Sequence, residues 1–175
     1  MESNPQRREE YLSEIEGISA DMLVYVDESG IEINMLKDRG WGKIGEKLFA
    51  QISGKFYKRL NVIAGIVNNN PIAPYKYEGS CNTELFISWI KQLAKELVPG
   101  QTVVMDNASF HKSPKVRKII ESVGCKLVYL PPYSPDLNPI EKFWANMKDW
   151  IKQKITDINE IHDLLTQYFK SFNST

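Results

Sequence analysis

Apolar positions along the chain follow two different repeats, and the change from one to the other predicts the order of strands and helices. Short β-branched runs typical of strands occur at residues 23–26, 56–67, 103–105 and 125–130. Apolar residues at helical spacing predict helices at residues 82–97, 114–123 and 140–155. Strands followed by alternating helices and strands are typical of an α/β or α+β sheet with helices on its faces.

The first strands are expected to be antiparallel. The segment MLVYVDESG ends in Ser29 and Gly30, which are common in turns, and IEINML at residues 31–36 resumes apolar character, so the pattern predicts a hairpin. Residues 56–67 supply a third strand, and the turn residues of NNNPIAP at 68–74 are expected to end it. The predicted sheet is therefore mixed, with three antiparallel strands and then parallel strands.

The ends of the predicted helices carry capping signals. Asn82 is a predicted N-cap, and Pro99 and Gly100 are expected to end that helix. The later helices have starts predicted at Ser113 and Pro114, at Asn138 and Pro139, and at a capping box of Asp157 and Glu160. Residues 1–20 are predicted to be a helical lead-in left from an upstream segment, and residues 21–175 one domain.

Composition excludes several classes of protein. No apolar run approaches the roughly 20 residues needed to span a bilayer, and the polar, acidic start is unlike a signal peptide. Cys81 and Cys125 lack the spacing of a zinc site, which favours a reduced, cytoplasmic chain. The net charge is zero, but residues 37–59 carry seven bases and two acids, a segment that fits either a phosphate-contacting surface or a solvated face.

Three acids stand where a fold would hold them in place. Asp27 and Asp106 each end a short apolar strand, and Glu141 lies in the first turn of a predicted helix after a loop with four prolines in residues 131–139. No Lys or Arg directly precedes or follows either aspartate. Paired carboxylates repel each other unless they share a proton or a cation. Oxygen ligands alone favour Mg²⁺ or Mn²⁺ over zinc.

Each acid also has a purely structural explanation. A carboxylate in a first helical turn, such as Glu141, is stabilised by the helix dipole alone. The three acids together, with the stiff loop between them, predict a metal-dependent nuclease site. They do not say which nuclease.

Two motifs resemble those of a known family. Asp106, Asn107 and His111 fit D-N-x-x-x-H, and residues 132–141 read PYSPDLNPIE, so that residues 107–140 separate Asp106 from Glu141. The sequence resembles the mariner-like superfamily of DDE transposases, in particular its bacterial insertion-sequence branch. In that resemblance Asp27 of VDESG is the first acid of the triad, and DRGWGKIGEK resembles the family's Trp-Gly loop.

The resemblance implies a ribonuclease-H-like fold and two-metal phosphoryl transfer. Two Mg²⁺ or Mn²⁺ ions would be held by Asp27, Asp106 and Glu141, with Asp27 bridging both. Water would free a 3′-hydroxyl at a transposon end, and that hydroxyl would then attack target DNA. The implied partners are transposon-end and target DNA, a second copy in a homodimer, and an upstream helix-turn-helix domain or protein that residues 1–20 do not supply. The implied location is the cytoplasm, on the nucleoid when DNA is bound, with no membrane.

Further residues are candidates for supporting roles. Asn107, His111 and Asn138 are predicted to orient a catalytic carboxylate or to contact DNA, and His111 has a general-base alternative. Lys148 lies two turns along the helical face of Glu141. Solvated surface is the structural alternative for the lysines, and packing into a partner subunit is the alternative for the tryptophan. The nucleic-acid-binding candidates are Trp41, Lys43, Lys47, Lys112, Lys115 and Lys148.

Two other functions fit the same residues. One is a ribonuclease-H-like nuclease that does not transpose, such as a junction resolvase. The other is a catalytically silent fragment that binds or dimerises with a full-length transposase and regulates it.

Overall fold

The computed structural model describes residues 4–31, 45, 59–155 and 160–172. The helices are α1 Pro5–Ile15, α2 Thr83–Leu93, α3 Pro114–Ser122, α4 Ile140–Lys154 and α5 Ile161–Lys170. The strands are β1 Leu23–Ile31, β2 Leu60–Val67, β3 Asn70–Glu78, β4 Thr102–Met105 and β5 Lys126–Tyr129. One-turn 3₁₀ helices lie at Ala20–Met22 and Pro135–Leu137. No helix in these ranges is long and apolar enough to cross a membrane.

The five strands form one mixed sheet in the order β3-β2-β1-β4-β5. The first three strands pair antiparallel, whereas β4 is parallel to β1 and β5 is parallel to β4. The predicted mixed sheet flanked by helices is confirmed. Strand β4 ends at Met105, opposite Val26 in the middle of its parallel neighbour β1, and this place in the sheet is called here the catalytic edge.

The predicted hairpin at Ser29 and Gly30 is wrong. Strand β1 continues through both residues to Ile31, because it pairs with β2 along its length, from Val24 opposite Val67 to Ile31 opposite Leu60. Gly30 fits there because the Arg59 side chain occupies the space that a Cβ would take. The other strand of the predicted hairpin, residues 32–36, lies outside the described residues.

The third antiparallel strand is β3. It includes most of NNNPIAP at 68–74, where the strand predicted at 56–67 was expected to end. The hairpin turn is at Asn68 and Asn69, whose φ angles of 47° and 63° match a two-residue turn between twisted strands. Pro71 and Pro74 are tolerated within β3 because it is an edge strand, where a missing N–H need not cost a ladder hydrogen bond.

Residues that alternate along β1 and β2 face two separate helical layers. Val24, Val26 and Ile63 pack against α2 and α3. Val62 and Ala64 pack against α4 and α5. Consecutive residues of β1 therefore point to opposite layers, which decides where Asp27 and Glu28 lie.

Of the predicted caps, Asn82 makes a side-chain capping hydrogen bond. Ser113 precedes α3 without one, and Pro139 stands at the N-cap of α4 in place of the predicted Asn138. Asn82 caps α2 by accepting a hydrogen bond from the Leu85 amide at 2.9 Å, although α2 ends at Leu93, short of the predicted Leu97. Helix α3 begins after Ser113, and α4 begins after Pro139. Helix α1 buries Tyr11 against the sheet, in a cluster with Val104 and Val128. Asp157 of the predicted capping box lies outside the described residues.

Candidate active site

The register of β1 and β4 brings two of the three acids together. Val26 of β1 lies opposite Met105 of β4 in a parallel pair, and each is followed by an aspartate. Asp27 and Asp106 therefore stand side by side at the catalytic edge. In β1, Asp27 also lies opposite Ala64, on the side of the sheet that α4 and α5 cover.

Helix α4 carries the third acid to the same edge. It packs its buried face, which includes Ile140 and Trp144, against the sheet, and Glu141 is exposed on its first turn. Asp27, Asp106 and Glu141 line one cavity of about 400 Å³, and the loop at 130–135 closes its other side. Acids that are far apart in sequence thus share one cavity.

Burial and charge act together on Asp27. Burial first, and then the charge of Glu28, raise the pKa of its carboxyl from 3.8 to about 7. Glu141 and Asp106 add smaller repulsions of the same sign. A cation in the cavity would relieve this repulsion and restore the ionised carboxylate.

Asp106 is held in the opposite way. Its Oδ1 accepts hydrogen bonds from the Ala108 amide at 2.9 Å and from His111 Nδ1 at 2.5 Å. Burial raises the pKa of Asp106, but the His111 and Ala108 hydrogen bonds and the charge of Lys112 outweigh it, and the net shift is downward. The carboxylate is therefore ionised with one oxygen fixed.

His111 is fully buried beneath Asp106. Its Nδ1 faces Asp106 Oδ1, and its Nε2 lies 3.0 Å from Oε1 of Glu28. Burial lowers the pKa of His111, but the hydrogen bonds to Asp106 and Glu28 outweigh it and bring the pKa to about 9. The positive charge that the sequence did not show beside Asp106 comes from His111, five residues further along the chain.

A family model described as DDE superfamily endonuclease matches residues 22–162, which include all three acids. The chain belongs to the DDE superfamily endonucleases. The resemblance drawn from the two motifs is confirmed.

Relatives of this DDE endonuclease occur in bacteria. The chain is 29% identical over 129 residues to the uncharacterized protein y4pE/y4sA of Sinorhizobium fredii, covering 72% of this chain and 84% of that protein. It is 28% identical over 131 residues to an uncharacterized 39 kDa protein of insertion element IS630 from Shigella sonnei, covering 73% of this chain and 38% of that protein.

The fold is that of a solved transposase. The Mos1 mariner paired-end complex with Mn matches with a TM-score of 0.71 at 18% identity, over 98% of this chain and 57% of that chain. The likeness confirms the expected ribonuclease-H-like fold. The chain spans just over half the length of the Mos1 chain and less than half of the Shigella protein.

The oxygen atoms around the cavity suit a hard divalent cation, but the acids would have to come closer together to hold one. The three acids supply only oxygen, as Mg²⁺ and Mn²⁺ prefer. Buried Asn138, which also lines the cavity, has an Oδ1 without a hydrogen-bond partner among the described residues. The same residues contain no group of three acid, histidine or cysteine side chains already close enough to hold a metal. Glu141 would have to turn inward to complete a site.

The other predicted residues of the DDE endonuclease fall into different places. Asn107 lines the cavity and donates a hydrogen bond to the Leu130 carbonyl, which ties the end of β4 to the proline-rich loop. His111, being buried, lies out of reach of a DNA phosphate, so of its predicted roles the geometry fits orienting a carboxylate. Trp41, Lys43 and Lys47 lie outside the described residues.

Three lysines were predicted to meet DNA. Lys112 is exposed and close enough to lower the pKa of Asp106. Lys115 lines a groove between α2 and α3, on the opposite face of the sheet from the acids. Lys148 is half-buried on α4 and is not among the described residues that line the acidic cavity.

Two residues of the site were missed in the sequence. Glu28 follows Asp27 directly, and only the strand alternation of β1 and the position of His111 make it a partner in the site. Tyr133 lines the cavity with its side chain exposed and a φ of 56°, which is rare outside glycine. Its place in PYSP, within the proline-rich motif, was the available signal. It presents an aromatic face at the rim of the cavity.

Proposed function

We propose that the chain is the catalytic part of a DNA transposase, which cuts phosphodiester bonds at transposon ends with two divalent cations and joins the ends to target DNA. One observation carries the proposal. Asp27 and Asp106 are adjacent on parallel strands and share a cavity with Glu141, in a chain of the DDE endonuclease family.

The chemistry follows from the side chains at the cavity. Divalent cations bound there would activate the attacking oxygen and stabilise the leaving oxygen. Asp27, the most buried of the three acids, would contribute to holding both cations, and Asp106 and Glu141 would each contribute to one. In the first step water forms the new P–O bond and the 3′-hydroxyl leaves. In the second step that hydroxyl attacks a phosphorus of target DNA, and the 3′-oxygen of the target strand leaves as a hydroxyl. Because the attacking group in each step is water or DNA, the enzyme forms no covalent intermediate.

Two further parts of the proposal concern the partners. The Mos1 complex is described as a paired-end complex with Mn, which supports transposon ends and divalent metal as ligands of this fold. We propose that recognition of the ends depends on a helix-turn-helix segment of a longer protein or a second chain, and that the active form is a homodimer.

The proposal is tested with three DNA substrates and Mg²⁺ or Mn²⁺. They are a duplex ending in the terminal repeat that flanks the gene, a four-way junction, and an RNA–DNA hybrid. The reactions also contain the helix-turn-helix domain that binds the repeat. The repeat-ending duplex is expected to be cut to leave a free 3′-hydroxyl. Preference for the junction or hybrid would support a resolvase or ribonuclease instead. If the chain bound no metal but lowered transposition by a full-length enzyme, this result would support a silent regulator.

Lys112 is expected to contact DNA phosphate near the reacting bond. Lys112→Gln should weaken binding of duplex DNA about equally for all sequences and reduce the slope of log affinity against log salt by about 1. Fluorescence anisotropy across a salt series measures both. Lys95→Gln is the matched control, because Lys95 is exposed on the chain after α2 and bonds only to Gln92 among the described contacts. Equal slopes for the two variants would remove Lys112 from the interface.

A further inference from the structure

We propose that Glu28 is a positioning residue for the metal site, fixing through His111 which oxygen of Asp106 faces the cavity. The inference rests on the proposed function, because it treats Asp106 as a metal ligand. Nothing in the two sequence motifs assigns Glu28 a role.

Glu28 and Asp27 are neighbours in sequence but face opposite sides of the sheet. Asp27 lines the acidic cavity, whereas Glu28 lines a second cavity of about 610 Å³ together with Tyr77 and Phe110. His111 spans the catalytic edge between the two sides. Its Nδ1 is 2.5 Å from Asp106 Oδ1, and its Nε2 is 3.0 Å from Glu28 Oε1.

The imidazole of His111 is clamped in this orientation. The rings of Phe86 and Phe110 contact the imidazole, the first tilted and the second edge-on, with centroids 4.4 and 4.5 Å away. The Tyr129 hydroxyl donates to the His111 carbonyl at 3.0 Å, which holds the backbone below the ring. With both ring nitrogens facing carboxylate oxygens, the ring makes both hydrogen bonds only as a donor at each nitrogen.

The consequence for Asp106 is an oriented carboxylate. Oδ1 accepts hydrogen bonds from the Ala108 amide and from His111, so Oδ2 is the oxygen that we assign to the metal. Without Glu28, the outer nitrogen of His111 would lose its charged acceptor in a setting of aromatic rings. The ring would then be free to turn, and Asp106 would lose the contact that holds its inner oxygen.

The test compares Glu28→Ala, Glu28→Gln and the exposed control Glu9→Ala by titrating each folded chain with Mn²⁺ and following free Mn²⁺ by electron paramagnetic resonance. Glu28→Ala should bind Mn²⁺ about 10- to 100-fold more weakly, as is typical when an outer partner of a metal ligand is removed. Glu28→Gln keeps an acceptor oxygen and should recover most of the affinity. Glu9→Ala should match the wild type.

Nuclear magnetic resonance of the ¹⁵N-labelled histidines supplies a readout that does not depend on metal. The chain has two histidines, so a His162→Gln variant assigns the signals of His111 directly. Metal-free wild type should show both ring N–H protons of His111 shifted downfield and protected from water, and Glu28→Ala should lose the Nε2–H signal.

The two readouts separate the inference from the proposed function. A wild type that shows the two ring signals but binds no Mn²⁺ contradicts the proposed function and leaves the Glu28–His111 link standing. Unchanged Mn²⁺ affinity in Glu28→Ala, with the ring signals altered, overturns the positioning role. If thermal melting shows that Glu28→Ala does not fold, Glu28→Gln provides the test. Loss of Mn²⁺ affinity in Glu28→Gln, with the ring signals of His111 intact, also overturns the positioning role.

Discussion

Replacing Asp106 with asparagine is expected to abolish metal-dependent DNA cleavage while leaving the chain folded. The asparagine Oδ1 can still accept the hydrogen bonds from the Ala108 amide and His111 that hold the aspartate. The other carboxylate oxygen, which would bind the metal, is replaced by an amide NH₂, which cannot bind Mg²⁺ or Mn²⁺. The loss should exceed the roughly 100-fold that removing an outer-shell partner costs.

Single-turnover cleavage of repeat-ending duplex DNA measures this effect, and a thermal melt in chelator checks the fold. The matched control is Asp149→Asn, since Asp149 is an exposed acid on α4 that does not line the acidic cavity among the described residues. The control should cut at the wild-type rate. Full activity in Asp106→Asn would refute the assignment of the site, whatever else binds in the cavity.

Asp27→Asn is expected to stabilise the metal-free chain at neutral and alkaline pH. The pKa of Asp27 is about 7 in the folded chain, against an ordinary value of 3.8, so the folded chain holds this proton more tightly than the unfolded chain. The contribution of Asp27 to the free energy of unfolding therefore falls as pH rises from about 4 to about 7, and stays low above that. The amide removes this penalty, which is on the order of a few kcal/mol.

Thermal melts of wild type and Asp27→Asn in chelator at a series of pH values measure the difference. The two chains should melt alike near pH 4, and the variant should melt progressively higher as pH approaches 7. Adding Mn²⁺ should raise the melting temperature of the wild type by mass action and leave the variant nearly unchanged. Asp149→Asn should give a flat difference across the series. A variant less stable than wild type at pH 8 in chelator would mean that the buried charge is already compensated.

The candidate acids could be identified in the sequence because each is recognised from the residues next to it. Asp27 and Asp106 each follow a short run of apolar residues, and Glu141 follows a proline-rich loop, features that can be read within a few residues. The cap at Asn82 and the helix start after Ser113 were predicted for the same reason, since a cap acts on amides two or three residues away. The sequence predicted that the three acids lie close together, but not that they line one cavity.

The strands that were misassigned show the limit of local patterns. Ser29 and Gly30 are ordinary turn residues, and Pro71 and Pro74 ordinarily end a strand. In the fold the first pair is held in the middle of the sheet by β2, and the second pair is allowed by the edge position of β3. Neither fact is present in the segments themselves, because sheet position depends on residues paired from elsewhere in the chain.

The sequence by itself determined the identities of the acids, the alternation of helices and strands after residue 82, and the two motifs that indicate the family. Tertiary structure alone decided that β1 and β4 are in a register that sets Asp27 beside Asp106, and that Glu28 meets His111 across 83 positions of sequence. A local pattern records which way a side chain would point on a strand or helix. What it meets there is set by packing between distant segments, whose contacts form only when the whole chain has folded.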